Sequence, residues 1–520
     1  MVRNTGSWRR RVSIAAVVMA TAFAVSAVTA APGGAKSGGG KIDRSAVLRF
    51  GVPLEDNGGV FFDPTGPNSA AASPTNRLFL DLIYDTMIHN TADGKGAPGL
   101  ATKWSAPDGN TVELTLRTGV KFSDGAAFNA AVVKAAWDKL LSSTRPNLTA
   151  DVKAIQSVEV VNDNTVRIHL KTPTAQTLIE GELRSANQLA VPSPNATNLE
   201  SKPVGAGPYE FKSYTTGKLT LTKNPTFYDK AAQKLAGIEF IQVGFGQPSV
   251  LALQGGTVDL VWQIPPDSVA TIKGQSGLQV ITLPSQRVFT LHTCTSDGPF
   301  ASKEARQALQ YAVDRKGIDA AALNGTGPPT QTPLAPSNPN YNKKLANTYK
   351  FDPKKAKALL KKAGLKPGTP VKMLTPSISP YTTIAEIVQS QLKDVGLDVQ
   401  LDQTSDFGGT AVRAKPELSV ASDDPALFSY IFSGDANVLN VCGYKNEKIT
   451  AALTDARDAS KTPAEQKAAW DTFQKTILDE SPIIYTNLQG LLAAATTKVK
   501  GLEVINSPYG PQLNTVYMTK

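Results

Sequence analysis

The side chains able to do chemistry are few. Three histidines (His89, His169, His292) and two cysteines (Cys294, Cys442) are all the imidazoles and thiols in 520 residues. His292 and Cys294 are two apart in an apolar run, which puts them on one face of a strand. No C-x-x-C or H-x-x-x-H spacing accompanies them, so a metal centre built from these residues lacks ligands. A hydrolase needs a nucleophile with an oriented base, and no G-x-S-x-G, P-loop lysine or dinucleotide fingerprint occurs. Gly205-Ala206-Gly207 runs through Pro208-Tyr209 into a strand and opens no helix, so it is no phosphate cradle. The expectation is a non-catalytic protein with no cofactor and no metal.

At 520 residues the chain exceeds one ordinary core, and two or three domains are expected. A hydrophobic content of 41% with 19% charged residues describes a globular chain. The net charge is +10, four of it from Arg3, Arg9, Arg10 and Arg11. The densest basic cluster is Lys354, Lys355, Lys357, Lys361 and Lys362. It has no interleaved aromatics, so it reads as a solvated helix face and not as a nucleic-acid surface.

The N-terminus carries a basic segment ending at Arg11, then an apolar stretch from about Ile14 to Val25. Val28 and Ala30 place a signal-peptide cut after Ala30 on the general secretory route. The apolar stretch is short for a membrane span. Residues 31–41 read as a Gly/Ser tether. No cysteine near the cut offers a lipid anchor. Export permits a disulfide between Cys294 and Cys442, and two separate buried thiols remain the alternative.

The elements that position these residues alternate between helix and strand. Leu48–Val52 reads as a first strand and Arg77–His89 as a helix. In Pro98–Val133, turns at Asp108-Gly109 and Asp124-Gly125 bound an alternating strand of Val112, Leu114, Leu116 and Val120. A helix capped by Asn129 follows. Hairpins are expected at Val158–Leu170 and Glu210–Lys223. Strands follow at Ile238–Val243, Gly256–Trp262 and Val288–Thr293, and helices at Gln247–Leu253 and Lys303–Val313. Asp352-Pro353 begins a helix stopped by Gly364. Ile384–Val395 is a helix before a strand at Leu397–Leu401. Thr462 with Glu465 forms a capping box. This order favours α/β layers with mixed sheets.

Four stretches carry a family resemblance. The first is Pro98, Leu100, Ala101 and Trp104, then Asp108-Gly109 and Thr111, then Leu116–Phe122 with Asp124-Gly125, Phe128 and Ala130. The second is Pro203–Phe211 with Asn224–Tyr228. The third is Arg306–Ile318 and the fourth Asp352–Gly364. In this order they resemble the solute-binding proteins of peptide-type ABC importers, family 5, over almost all of the chain beyond the leader.

The resemblance implies a type II periplasmic-binding-protein fold. Lobe I would comprise 41–78, 202–285 and 488–520, with lobe II (79–201) inserted in it and lobe III at 286–487. Crossing segments near 285 and 487 would form a hinge, with ligand held between lobes I and III.

The resemblance also nominates a site. Family members hold a peptide's amino group with an acid in a G-W-x-x-D-x-x-D-P-like segment. Here that region is Leu418–Pro425, shorter and without the tryptophan, leaving Asp423 or Asp424 as the anchor. The alternative for both is a solvated turn before a helix. Trp262, Phe289 and Tyr485 flank the expected cleft or its crossings, with core packing the alternative for Trp262. Phe61 and Tyr509 join them from loops. A nickel role, known in relatives, is not supported by three scattered histidines.

The expected function is an exported, monomeric binding protein that captures a small organic solute, a short peptide foremost, and delivers it to a membrane permease. A receptor of the same fold without transport is the first alternative, and a secreted hydrolase the second.

Overall fold

The strand Val47–Val52 lies near the centre of a seven-stranded sheet. In a computed structural model of the chain, described for residues 40–520 apart from 56–58, 66–73, 92–94, 144–147, 187, 284, 459, 503–504 and 507–509, this strand runs parallel to Gly237–Gln242. The expected leader and Tyr509 lie outside the described residues. The sheet order is Leu278–Leu283, Leu491–Thr496, Leu260–Trp262, Val47–Val52, Gly237–Gln242, Lys218–Lys223, Tyr209–Thr215. Three segments far apart in sequence therefore build one layer. Phe50 pairs with Phe240, their rings 5.8 Å apart, and Phe79 stacks edge-on against Phe240.

Phe79 belongs to the helix Pro74–Tyr84, which packs whole onto this sheet and crosses the lobe boundary expected at 78/79. The helix stops at Tyr84, short of the expected His89, because Asp85 takes a left-handed φ of 60°. His89 then sits in a short strand, Ile88–Asn90. Against the end of this helix runs Pro203–Tyr209. A Cβ on Gly205 would meet the Ile83 carbonyl oxygen at 2.0 Å, and one on Gly207 the Leu82 oxygen at 2.2 Å. Only glycine lets the two backbones approach so closely.

The second sheet has the order Ala101–Asp108, Thr111–Leu116, Thr165–Leu170, Ile155–Asn162. The alternating strand expected in Pro98–Val133 is Thr111–Leu116, and it pairs with Ala101–Asp108 through the turn at Asp108-Gly109. Val120 lies beyond them, after the turn at Thr118-Gly119. The helix Ala130–Leu141 begins as expected, with Asn129 Oδ1 accepting from the Val132 amide at 3.0 Å.

The third sheet has the order Leu397–Thr404, Thr369–Pro376, Leu418–Asp423, Val288–Thr293, Ile483–Leu488. Its two faces bury different cores. Phe289, Leu291 and Val420 face the helices Lys303–Ala312 and Tyr381–Asp394. Val288 and Tyr485 face Phe428, Phe473 and the helices Glu447–Arg457 and Pro463–Glu480. The latter helix has the expected capping box of Thr462 and Glu465. Cys294 and Cys442 are joined by a disulfide in this layer.

Candidate functional site

Two strands leave the first sheet and enter the third, or the reverse. Leu278–Leu283 lies in the first sheet and Val288–Thr293 in the third. Ile483–Leu488 lies in the third and Leu491–Thr496 in the first. The two crossings touch, the Gln489 amide donating to the Arg287 carbonyl at 2.9 Å. Each sheet thus presents one end at the crossings, where open α/β sheets hold ligands.

Polar side chains gather there. Arg287 Nη2 donates to Ser422 Oγ at 2.8 Å, and the Tyr381 hydroxyl meets the same oxygen at 2.8 Å. Gln489 Nε2 reaches the Tyr381 hydroxyl at 3.5 Å, and Gln286 Nε2 donates to Ser337 Oγ at 2.8 Å. Arg287 Nε and the side-chain oxygens of Gln286 and Gln489 are buried with no protein partner. Sequence reasoning singled out none of these residues as ligand contacts, although it expected crossing segments near 285 and 487. The available signal was a cation and two amides in short connections between apolar strands.

Asp423 is the last residue of the strand Leu418–Asp423 and only 1% exposed. Its Oδ1 lies 2.9 Å from His292 Nε2, and His292 Nδ1 lies 2.6 Å from the Leu439 carbonyl. Both ring nitrogens face acceptors, an arrangement that suits the imidazolium. Burial opposes that charge, but the Asp423 carboxylate and the two hydrogen bonds outweigh it and raise the His292 pKa. Asp423 Oδ2, Thr290 Oγ1 and the Tyr485 hydroxyl remain buried and unpaired. Burial, with the Asp423 charge, holds the Tyr485 phenol well above its ordinary pKa. Asp424 is also buried, and its charge acts on Arg457. Neither aspartate is therefore a solvated turn residue.

The aromatic candidates divide. Trp262 ends its strand opposite Ala493, close to a crossing, and is buried in the first core. Phe289 is buried edge-on against Tyr381, with ring centroids 5.3 Å apart. Tyr485 is fully buried on the other face of the third sheet. Phe61 is half-buried in its loop. The structure brings Phe289, Asp423 and Tyr485 to one end of the third sheet and Trp262 to the facing end of the first. Among the described residues no group of three or more His, Cys, Asp or Glu is placed to hold a metal.

The well-matched stretches of the sequence do structural work away from the crossings. Arg117 lies 4.4 Å over the Tyr228 ring, whose hydroxyl donates to Asp85 Oδ2 at 2.8 Å. His89 Nε2 meets Asp85 Oδ1 at 2.6 Å. Arg306 donates to the carbonyls of Phe300, Ala301 and Glu480. Arg315, buried so fully that its pKa falls to about 10, donates to the carbonyls of Thr330, Tyr485 and Gln310.

Comparison with known proteins places this architecture. The family model described as "Bacterial extracellular solute-binding proteins, family 5 Middle" matches residues 95–436. The glutathione-binding protein GsiB of Pectobacterium atrosepticum is 28% identical over 489 residues, 85% of this chain and 89% of that protein. Among solved structures, the PBP AgaA in complex with agropinic acid from A. tumefaciens R10 is 26% identical with a TM-score of 0.74, covering 91% of this chain and 99% of that one. The ABC transporter-associated periplasmic binding protein DppA from Helicobacter pylori, in complex with the peptide STSA, is 23% identical with a TM-score of 0.76, covering 92% and 98%.

Proposed function

The chain belongs to the bacterial extracellular solute-binding proteins of family 5 and has the type II periplasmic-binding-protein fold, and from that premise we propose that it is the exported capture component of an ABC importer for short peptides. The observation that carries this is the match over 85% of the chain to a glutathione-binding protein, whose ligand is itself a peptide. The double crossing between the first and third sheets is what a hinge-closing binding protein needs.

The solute lies between lobe I (41–78, 202–285 and 488–520, joined by the rest of the helix Pro74–Tyr84) and lobe III (286–487), with the remainder of lobe II (79–201) beside them. Trp262 and Phe289, buried close to the crossings, back the apolar wall, and Phe61 joins them from its loop. Asp423, Asp424 and Tyr485 support the third-sheet end from behind, because Asp423 is already engaged by His292. The protein acts as a monomer outside the membrane after removal of residues 1–30, and a permease recognises its closed form. Among the described residues no helix is long and apolar enough to cross a membrane.

The test is to purify the protein natively, release its bound solute and identify it by mass spectrometry, alongside thermal-shift titration with peptide pools. A peptide in the released fraction and a peptide-dependent shift are expected. Another solute class in both measurements would remove the peptide assignment. Turnover of peptides by the purified protein would remove the binding-protein reading.

A further inference from the structure

We infer that Arg287 anchors an anionic oxygen group of the solute, a carboxylate foremost, and so makes the cleft selective for acids. This rests on the solute-binding reading above. A guanidinium is charged at every accessible pH, and placing one away from water is costly unless an anion or several acceptors meet it. Three other guanidiniums in this protein obey that rule. Arg49 is held by both oxygens of Asp259, at 2.9 and 2.7 Å. Arg306 and Arg315 are surrounded by backbone carbonyls.

Arg287 differs. It is half-buried, and among the described residues no Asp or Glu oxygen lies within ion-pair distance of it. Its side chain donates to one neutral hydroxyl, Ser422 Oγ, and its Nε is buried without a protein partner. Asp423 is next to Ser422 in sequence, but strand alternation turns it to the opposite face, where His292 takes its Oδ1. It does not neutralise Arg287.

The neighbours of Arg287 suit an anion. The hydroxyls of Tyr381 and Ser422 and the amides of Gln286 and Gln489 can donate, and none of them carries negative charge. The location adds a function. Arg287 precedes the strand Val288–Thr293 and its carbonyl accepts from Gln489 of the second crossing. An anion held there contacts both crossings at once, so its binding favours one relative setting of the two sheets. In a peptide the group that fits is the C-terminal carboxylate.

The experiment compares a tripeptide library with free C-termini against the same library amidated, by thermal shift on the wild type, Arg287→Lys and Arg287→Met. The free-acid library should stabilise the wild type and the amidated one should not. For a tripeptide picked from the free-acid library, Arg287→Met should weaken binding by roughly 30-fold or more, the effect of truncating one side of a buried charge pair. Arg287→Lys should recover part of it. The melting temperature without peptide should stay close to wild type in both variants. Equal stabilisation by the two libraries, or undiminished binding to Arg287→Met, overturns the anion anchor and leaves the importer reading standing. If Arg287→Met does not fold, the library comparison on the wild type decides alone. If neither library acts, the peptide assignment falls, and Arg287 is judged with non-peptide carboxylates, sulfonates and phosphate monoesters. Silence from those overturns the anchor as well.

Discussion

His292 Nε2 lies 2.9 Å from Asp423 Oδ1 on a buried face of the third sheet, while its Nδ1 faces the Leu439 carbonyl at 2.6 Å. An imidazole between two acceptors is best satisfied as the cation, and its pKa is raised above the ordinary value. A histidine whose folded pKa exceeds its unfolded value of about 6.5 contributes stability that is complete below that pH. The contribution is lost as pH rises through the folded value. Unfolding titrations from pH 5.5 to 8.5 should show the wild type losing stability across this range and His292→Gln losing less. His89, paired with Asp85, acts in the same direction, so the difference between the two proteins isolates His292. Identical slopes would refute the pairing. Asp423→Ala should cost about 3–5 kcal/mol, the effect of stranding one member of a buried ion pair.

The disulfide Cys294–Cys442 spans 148 residues. Closing so long a loop restricts the unfolded chain, and removing a native bridge typically costs about 2–5 kcal/mol. A double Cys294→Ala, Cys442→Ala variant should lose stability in that range by denaturant titration, and a reductant should have the same effect on the wild type. Cys442 lies three residues from Leu439, whose carbonyl holds His292. The pH dependence assigned to His292 should therefore weaken along with the bridge. A double variant as stable as wild type would show that the bridge contributes nothing.

Gly205 and Gly207 press against the last turn of the helix Pro74–Tyr84, with the Gly207 amide donating to the Ile83 carbonyl at 2.9 Å. A Cβ at either position falls 2.0–2.2 Å from a carbonyl oxygen, and backbone must move to admit it. Gly207→Ala should destabilise by about 1–3 kcal/mol, as overpacking does. Gly217, with its prospective nearest neighbour at 3.6 Å but a left-handed φ of 81°, is the control for backbone strain without a clash. The idea fails if Gly207→Ala melts with the wild type.

What was legible in the sequence was local. Asn129, Asp352 and Thr462 sit within three residues of the amides they cap, and the Asp108-Gly109 turn joins adjacent strands. The strand Leu418–Asp423 was not read as one, because all six residues are buried and the alternation that marks a half-buried strand is missing. The same holds for the first five residues of Ile483–Leu488 and of Leu491–Thr496. Asp423 was singled out, but its partner His292 is 131 residues away. Arg287 meets Ser422 across 135 residues and Gln489 meets Tyr381 across 108. Pairings at that distance depend on the sheet order, which no local pattern carries. The stretches that identify the family proved to hold its cores together.

Asp81 offers the last test. It lies on the helix Pro74–Tyr84, and its Oδ1 accepts from the Ala186 amide at 2.6 Å. Burial pushes its pKa up to about 7, against the opposing influence of that hydrogen bond and of Arg77. An acid whose folded pKa lies above its unfolded value of about 3.9 favours the folded state only while it is protonated. Its penalty is absent below about pH 4, grows as pH rises, and is complete above about pH 7. Asp81→Asn keeps an oxygen for the Ala186 amide and removes the charge. The variant should match wild type near pH 4 and exceed it at pH 8 by up to a few kcal/mol, on the scale of about 1.4 kcal/mol per pKa unit. Denaturant titrations at the two pH values measure this directly. If Asp81→Asn is the weaker protein at pH 8, the charged carboxylate is needed there and the burial argument is wrong.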